Sequence, residues 1–301
     1  MEIHQSIIAR ISEVKMVKKR IRDSDLLAKA PVIEDGEADS DDEMDIVNVD
    51  FEWFNFKPDT DFHGVKNLLR QLFDVDANLF DLSALTDLIL SQPTIGSTVK
   101  VDGEEADPYA MISILNLYEH RENPVIQEIT QYLLEKSKFS TPLAPLALQI
   151  NNQMPIGLIL SERLINVPAD VAAPLYNTLI DEIEAAVEDK EPYNFTHYLI
   201  FSKVYQEIES SLDQEDAPKT KKNKASKLTR ETFYFHAEDE VLKNHALAFG
   251  TFDYNNYQGD GMADSKRAFS EMGIKSQGAV ILIEADKLQG SVEAIRHLIN
   301  H

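Results

Sequence analysis

The sequence predicts a mixed α/β (α+β) fold, a central mixed sheet with flanking helices. Three observations carry that expectation. Pro155 to Pro168 opens with a short apolar run, Ile156 to Leu160, framed by proline and containing one glycine. Such a run is too short for an independent helix and suits a strand buried on both faces. Val47, Val49, Phe51 and Trp53 alternate with polar residues, the period-two pattern of a strand. Elsewhere apolar residues recur three and four apart, the helical period. The two patterns are intermixed without strict alternation, and no internal repeat is evident.

The 301 residues can bury a substantial core. Their 29 Lys+Arg against 52 Asp+Glu give a formal net charge of −23. That balance lacks the basic footprint of a general nucleic-acid binder. It favours solubility and attraction to basic partners such as ribosomal proteins or histones. There is no cysteine, so disulfides, cysteine nucleophiles and thiolate zinc sites are excluded, and a reducing compartment is expected. No apolar run approaches membrane-spanning length, and the N-terminus carries no hydrophobic signal core. The expectation is an intracellular, soluble protein that engages neither membrane nor nucleic acid directly.

The first 45 residues read as a flexible tail, basic and then acidic, ahead of a single globular domain over 46–301. Lys15, Lys18, Lys19, Arg20 and Arg22 are interleaved with Ile and Val, and Lys19-Arg20-Ile21-Arg22 fits the basic pattern read by nuclear import receptors. Ile3, Ile7, Ile8, Ile11 and Val14 also fit a short amphipathic helix, and the two readings are compatible. Between Glu34 and Glu52 lie ten acidic residues and no basic one. Like-charge repulsion there disfavours packing. Ser40, followed by Asp41-Asp42-Glu43, is a candidate phosphosite for an acid-directed kinase, and phosphate would deepen the negative charge.

Within the globular part, Phe62 to Phe73 follows helical spacing, with Asp59 to Asp61 as capping candidates. The next helix spans about 82–91. Its Leu82, Leu85, Leu88 and Leu90 fit either a leucine-rich nuclear export signal or an ordinary core-facing stripe. Residues 95–101 and 109–118 read as strands joined by the acidic loop Asp102 to Pro108, a hairpin. Helices over 124–138 and 143–151 lead to the strand at 156–160, after which Ser161-Glu162-Arg163 breaks the apolar run. That charge reads as a site or as a rim ion pair closing off the sheet. A helix over 170–187 buries Val171, Leu175, Leu179, Ile183 and Val187, and a strand covers Phe195 to Val204.

Residues 210–229 are polar and lysine-rich, the composition of a mobile loop. Lys221, Lys222 and Lys224 form a second import-type cluster or simply a solvated loop. A strand at 232–235, a helix at 237–246, a Tyr-rich stretch at 252–257, a buried strand at 279–283 and a closing helix at 291–299 complete the chain.

No nucleophile elbow, phosphate-binding Gly-Lys-Ser/Thr loop or His-Glu-x-x-His occurs. Gln258-Gly259-Asp260-Gly261-Met262-Ala263 fits the loose pattern with which acetyltransferases hold the coenzyme A pyrophosphate on backbone N–H groups. It also reads as a glycine-rich surface loop, because loop-like residues precede it and Asp260 adds charge where a pyrophosphate would sit. Carboxylates are too plentiful for any pair to be singled out as acid and base. No catalytic residue, metal or cofactor is expected.

Several segments together carry a resemblance: Phe62-His63-Gly64-Val65-Lys66-Asn67-Leu68-Leu69-Arg70-Gln71-Leu72-Phe73, Ile95 to Lys100, Ile112 to Leu117 and, most distinctively, Ile156 to Pro168. The chain resembles the BCCIP family and, within it, the fungal Bcp-type branch, over about 46–301 and in the same order. The resemblance implies a fold similar to the GCN5-related acetyltransferases without known acetyl transfer. It implies a nuclear chaperone or adaptor that shuttles to the cytoplasm through import and export receptors. It also implies a basic large-subunit ribosomal protein as client and support for export of a lipid kinase client, a phosphatidylinositol 4-phosphate 5-kinase. A coenzyme A-dependent N-acetyltransferase is the alternative.

Overall fold

The computed structural model describes residues 50–207, 232–256 and 274–299. In chain order the elements are β1 (Glu52–Asn55), α1 (Pro58–Phe73), α2 (Leu82–Leu90), β2 (Ser97–Lys100), β3 (Ala110–Asn116), α3 (Pro124–Lys138), α4 (Ala144–Asn151) and β4 (Ile156–Arg163). They continue with α5 (Ala172–Glu188), β5 (His197–Glu207), β6 (Thr232–Tyr234), α6 (Ala237–Asn244), β7 (Ala248–Phe252), β8 (Ile274–Glu284) and α7 (Ala285–Ile299). All eight strands form one sheet of order β1-β2-β3-β4-β5-β8-β7, with β6 paired to β5 off that path. Every neighbouring pair is antiparallel except β4 and β5, which α5 joins as a parallel crossover. Asn48–His301 forms one compact unit.

Helices cover both faces. Met111 and Leu115 of β3, with Leu158 and Leu160 of β4, pack among α1 to α4. Ile112, Ile114 and Ile159 point the other way, among α5, α6 and α7. Burial on both faces is why β4 reads as a continuous apolar run rather than an alternating one.

Local chemistry sets the helix starts. Asp81 accepts the N–H groups of Ser83 and Ala84 to cap α2, and Asn123 accepts that of Val125 ahead of Pro124 in α3. At α1 the expected cap is corrected. Lys57 occupies the cap position, Pro58 opens the helix, and Asp61 reaches back to accept the Lys57 N–H at 2.8 Å.

The hairpin forms as expected, with Ser97 opposite Ile112 and Val99 opposite Ala110. Gly96 enters it at φ +97°, where a Cβ would lie 2.9 Å from the Ile112 carbonyl oxygen and 2.4 Å from the Phe56 ring. Gly96→Ala is therefore expected to lower stability by about 2–3 kcal/mol, combining positive-φ strain with a backbone clash. Urea unfolding checks this, and a wild-type midpoint would contradict the geometry.

Four elements differ from expectation. β4 does not stop at Leu160: β3 pairs with it through Ser161, Glu162 and Arg163, the polar end of a strand otherwise apolar. β7 was not anticipated, and β8 and α7 begin five and six residues earlier than their apolar patterns do. The stripe Leu82, Leu85, Leu90 is buried in the core and Leu88 packs against it, so folded α2 offers a receptor no leucine face.

Candidate functional site

β4 and β5 pair only over Ile156–Ile159 and His197–Ile200, after which β6 takes up the same edge of β5 at Val204–Gln206. The wedge left where the two parallel strands part is filled by charge. Glu162 and Arg163 project to opposite faces, as successive strand residues must. Glu162 meets Lys203 of β5 at 2.8 Å, His236 at 3.3 Å and the Gln71 amide of α1 at 2.8 Å. Arg163 pairs with Glu238 at the start of α6, and next to it Ser202 donates to Asp239.

Burial opposes the charge on Glu162, yet Lys203 and His236 outweigh it and hold the carboxyl below the ordinary range. Burial, with Glu238 alongside, pushes Asp239 up to about 6. Each carboxylate in the wedge faces a protein partner, and the arrangement is that of a plug that joins α6 to the parting strands. The sequence-level choice between a site and a rim ion pair resolves into neither. Glu162 and Arg163 are not each other's partners, and both belong to this buried network.

A second hub ties down the end of β7. Asp76 accepts the N–H groups of Asn255 and Asn256 at 2.8 and 2.9 Å and the Tyr132 hydroxyl at 2.8 Å, with Lys136 at 4.0 Å. Its groups are likewise consumed by structure. Among the described residues no cluster of three His, Asp or Glu side chains is arranged to hold a metal ion. His297 and His301 stand four apart near the chain end, but the second lies outside the described residues.

The surface feature with unused chemistry lies at the C-terminal end of α5. The helix closes on a left-handed turn, Lys190 at φ +65°, with Glu191 N–H returning to the Ala186 carbonyl at 2.9 Å. That turn lays Tyr193–Phe195 beside the last turns of α5, and a groove of about 380 Å³ opens between them. Its walls are Ile183, Glu184, Val187 and Glu188 on α5, facing Tyr193, Phe195 and Tyr198.

The aromatic wall is rigidly stepped. Tyr193 and Phe195 meet edge-on at 5.9 Å, Phe195 and Tyr198 at 5.7 Å, and the Tyr193 hydroxyl is held by Gln92 at 2.8 Å. Burial, then the charge of Glu184, raises the Tyr198 phenol; burial, then Glu191, pushes Tyr193 up to about 12. Val187, expected in the buried stripe of α5, is instead 39% exposed on the groove.

Asp181, Glu184, Glu188 and Asp189 are exposed here, and the last turn of α5 carries no basic residue. Of these, Glu188 and Asp189 stand at the helix C-terminus and oppose its dipole, at a cost of about 0.3–1 kcal/mol each. The groove draws on α5, the start of β5 and Ala285, so no local motif announced it.

Lys18, Lys19, Arg20, Arg22, Ser40, Lys221, Lys222 and Lys224 are all outside the described residues, as is Gln258–Ala263. No helix of the described residues is long and apolar enough to cross a membrane.

Comparison with known proteins gives a consistent picture. The sequence profile of the BCCIP family matches residues 46–242. Protein bcp1 of Aspergillus fumigatus is 54% identical over 92% of this chain and 96% of its own length. Protein BCP1 of Gibberella zeae is 52% identical over 95% and 99% of the two chains, and bcp1 of Schizosaccharomyces pombe 43% over 85% and 92%. Among solved structures, BCP1 from Saccharomyces cerevisiae superposes with a TM-score of 0.57 at 26% identity, covering 89% of this chain and all of that one. With the mixed sheet, its two helical layers and these matches in register, the chain belongs to the BCCIP family.

Proposed function

We propose that this protein is a non-enzymatic nuclear chaperone and adaptor that holds a basic large-subunit ribosomal protein during ribosome assembly. The observation that carries the reading is the run of exposed carboxylates at the end of α5, kept against the helix dipole on a chain of net charge −23. A surface that is electrostatically unfavourable for the protein alone becomes favourable once cations from a partner neutralise it. The client's rRNA-binding lysines and arginines are then shielded from non-specific RNA contact.

In this reading Lys18, Lys19, Arg20 and Arg22, together with Lys221, Lys222 and Lys224, engage import receptors. Export returns the protein to the cytoplasm, and the same adaptor role supports export of a phosphatidylinositol 4-phosphate 5-kinase. Phosphate on Ser40 strengthens the acidic tail. No cofactor is required.

Titration of the full chain with a purified basic large-subunit ribosomal protein tests the reading. Raising salt from about 50 to about 300 mM is expected to weaken binding by about tenfold or more, since charge pairs at a solvated surface are screened. Affinity independent of salt, or absence of binding at low salt, would overturn it.

A further inference from the structure

We infer that the groove beside the C-terminal turns of α5 is an arginine-binding slot, occupied by an extended, arginine-bearing segment of a basic partner protein. The inference rests on the proposed role as holder of a basic client and assigns that role to a defined place.

Its two walls supply the two halves of guanidinium recognition. Tyr193 is the partly exposed ring of the aromatic wall, fixed by its edge-on contact with Phe195 and its hydrogen bond to Gln92, with Phe195 and Tyr198 buried behind it. Planar guanidinium groups stack on such a ring and are attracted by its quadrupole. Glu184 and Glu188 stand one helical turn apart on the opposite wall, both exposed and both on the groove. They supply the carboxylates that a guanidinium fork pairs with. Between them Val187, with Ile183 beneath, offers an apolar strip for the aliphatic stem of the same side chain. Neither Glu184 nor Glu188 forms an ion pair among the described residues, unlike Glu162, Glu238 and Glu284.

One feature favours arginine over lysine. An ammonium is a compact, strongly hydrated charge that gains little from a flat aromatic wall, whereas a guanidinium is weakly hydrated and stacks. The groove is open to solvent rather than enclosed, so a side chain of a larger partner can enter it.

The test uses the full chain and two fluorescein-labelled peptides of equal length, one with four arginines and one with four lysines spaced by glycine. Anisotropy is read at about 150 mM salt, where long-range attraction is largely screened. The arginine peptide is expected to bind at least about threefold tighter than the lysine peptide. Glu184→Gln/Glu188→Gln is expected to weaken it about tenfold. Asp87→Asn/Glu135→Gln removes the same charge from the exposed side of α2 and α3, in the opposite helical layer, and is expected to leave it unchanged.

Equal losses from both pairs of substitutions would overturn the inference and leave only a diffuse polyanion. Tighter peptide binding on replacing Lys18, Lys19, Arg20 and Arg22 by alanine would also overturn it, making the chain's own basic cluster the occupant. The broader reading fails separately. If Glu184→Gln/Glu188→Gln leaves binding of a basic ribosomal protein intact, the slot is wrong and the chaperone role stands. If the arginine peptide binds as described but the wild-type chain captures no basic ribosomal protein, the slot stands and the chaperone role fails.

Discussion

Lys100→Met is expected to remove about 3–5 kcal/mol of stability, the largest single loss we foresee among the charged residues. Lys100 and Asp61 form an ion pair at 2.6 Å, and both side chains are fully inaccessible to water. Lys100 also donates to the Glu104 carbonyl and lies over the Phe54 ring at 5.8 Å, which joins α1, β1 and the hairpin loop at one point. Methionine matches the volume of the stem but leaves the Asp61 carboxylate buried with only the Lys57 N–H as partner. An unpaired buried charge is far costlier than a buried pair that is missing altogether. The double variant Lys100→Met/Asp61→Asn is therefore expected to recover most of the loss. Urea midpoints of the wild type, both single variants and the double form a cycle that checks this. Additive losses would mean that the pair is not coupled as its geometry requires.

Asp239→Asn is expected to stabilise the protein at neutral pH. Burial holds the Asp239 pKa at about 6, above the value of about 4 for an unfolded aspartate. Between those values the folded chain binds more protons than the unfolded one, so stability falls as pH rises through that window. Above it the ionised, buried carboxylate is a burden on the order of 3 kcal/mol, and asparagine can still accept the Ser202 hydroxyl. The expected gain is about 1–3 kcal/mol at pH 7–8, vanishing below about pH 4. Glu162 works with the opposite sign. Its lowered pKa contributes stability above the unfolded glutamate value, and that contribution is lost as acid carries pH down through the folded one. Denaturation of Asp239→Asn at pH 4 and pH 7.5 decides the matter, and an identical effect at both would rule out the buried charge as its cause.

Much of the architecture was legible where the chain obeys one local rule at a time. α2, α3 and the β2–β3 hairpin lie where their apolar periodicity and the acidic, glycine-containing loop put them, because their stabilising partners are close in sequence. β7 was missed for a tertiary reason. Gly250 interrupts the strand pattern, yet it is needed there because a Cβ would come within 2.5 Å of Leu143. The polar start of β8 concealed five residues that pair with β5 all the same, from Glu207 opposite Ile274 to Lys203 opposite Gly278. Ser161-Glu162-Arg163 looked like a strand end because its compensating partners, Lys203, His236 and Glu238, arrive far downstream. The groove was hidden in the same way. Val187 has the spacing of a core residue, and only the turn at Lys190 decides that an aromatic wall, rather than the sheet, stands opposite it.

The order of strands in the sheet has a consequence for how the protein is made. β8 pairs along the whole of β5 and is the strand that joins β7 to the sheet, yet it is the last of the described strands in sequence. Roughly 80 residues separate the end of β5 from the end of β8, which a ribosome adds in about 4–16 s. For that interval the nascent chain carries β5 with one whole edge open, eleven residues long and largely apolar. An edge of that kind is a template for unwanted pairing with other chains. Any strand-seeking factor that meets this protein during synthesis has that open edge to bind until β8 emerges and pairs along it.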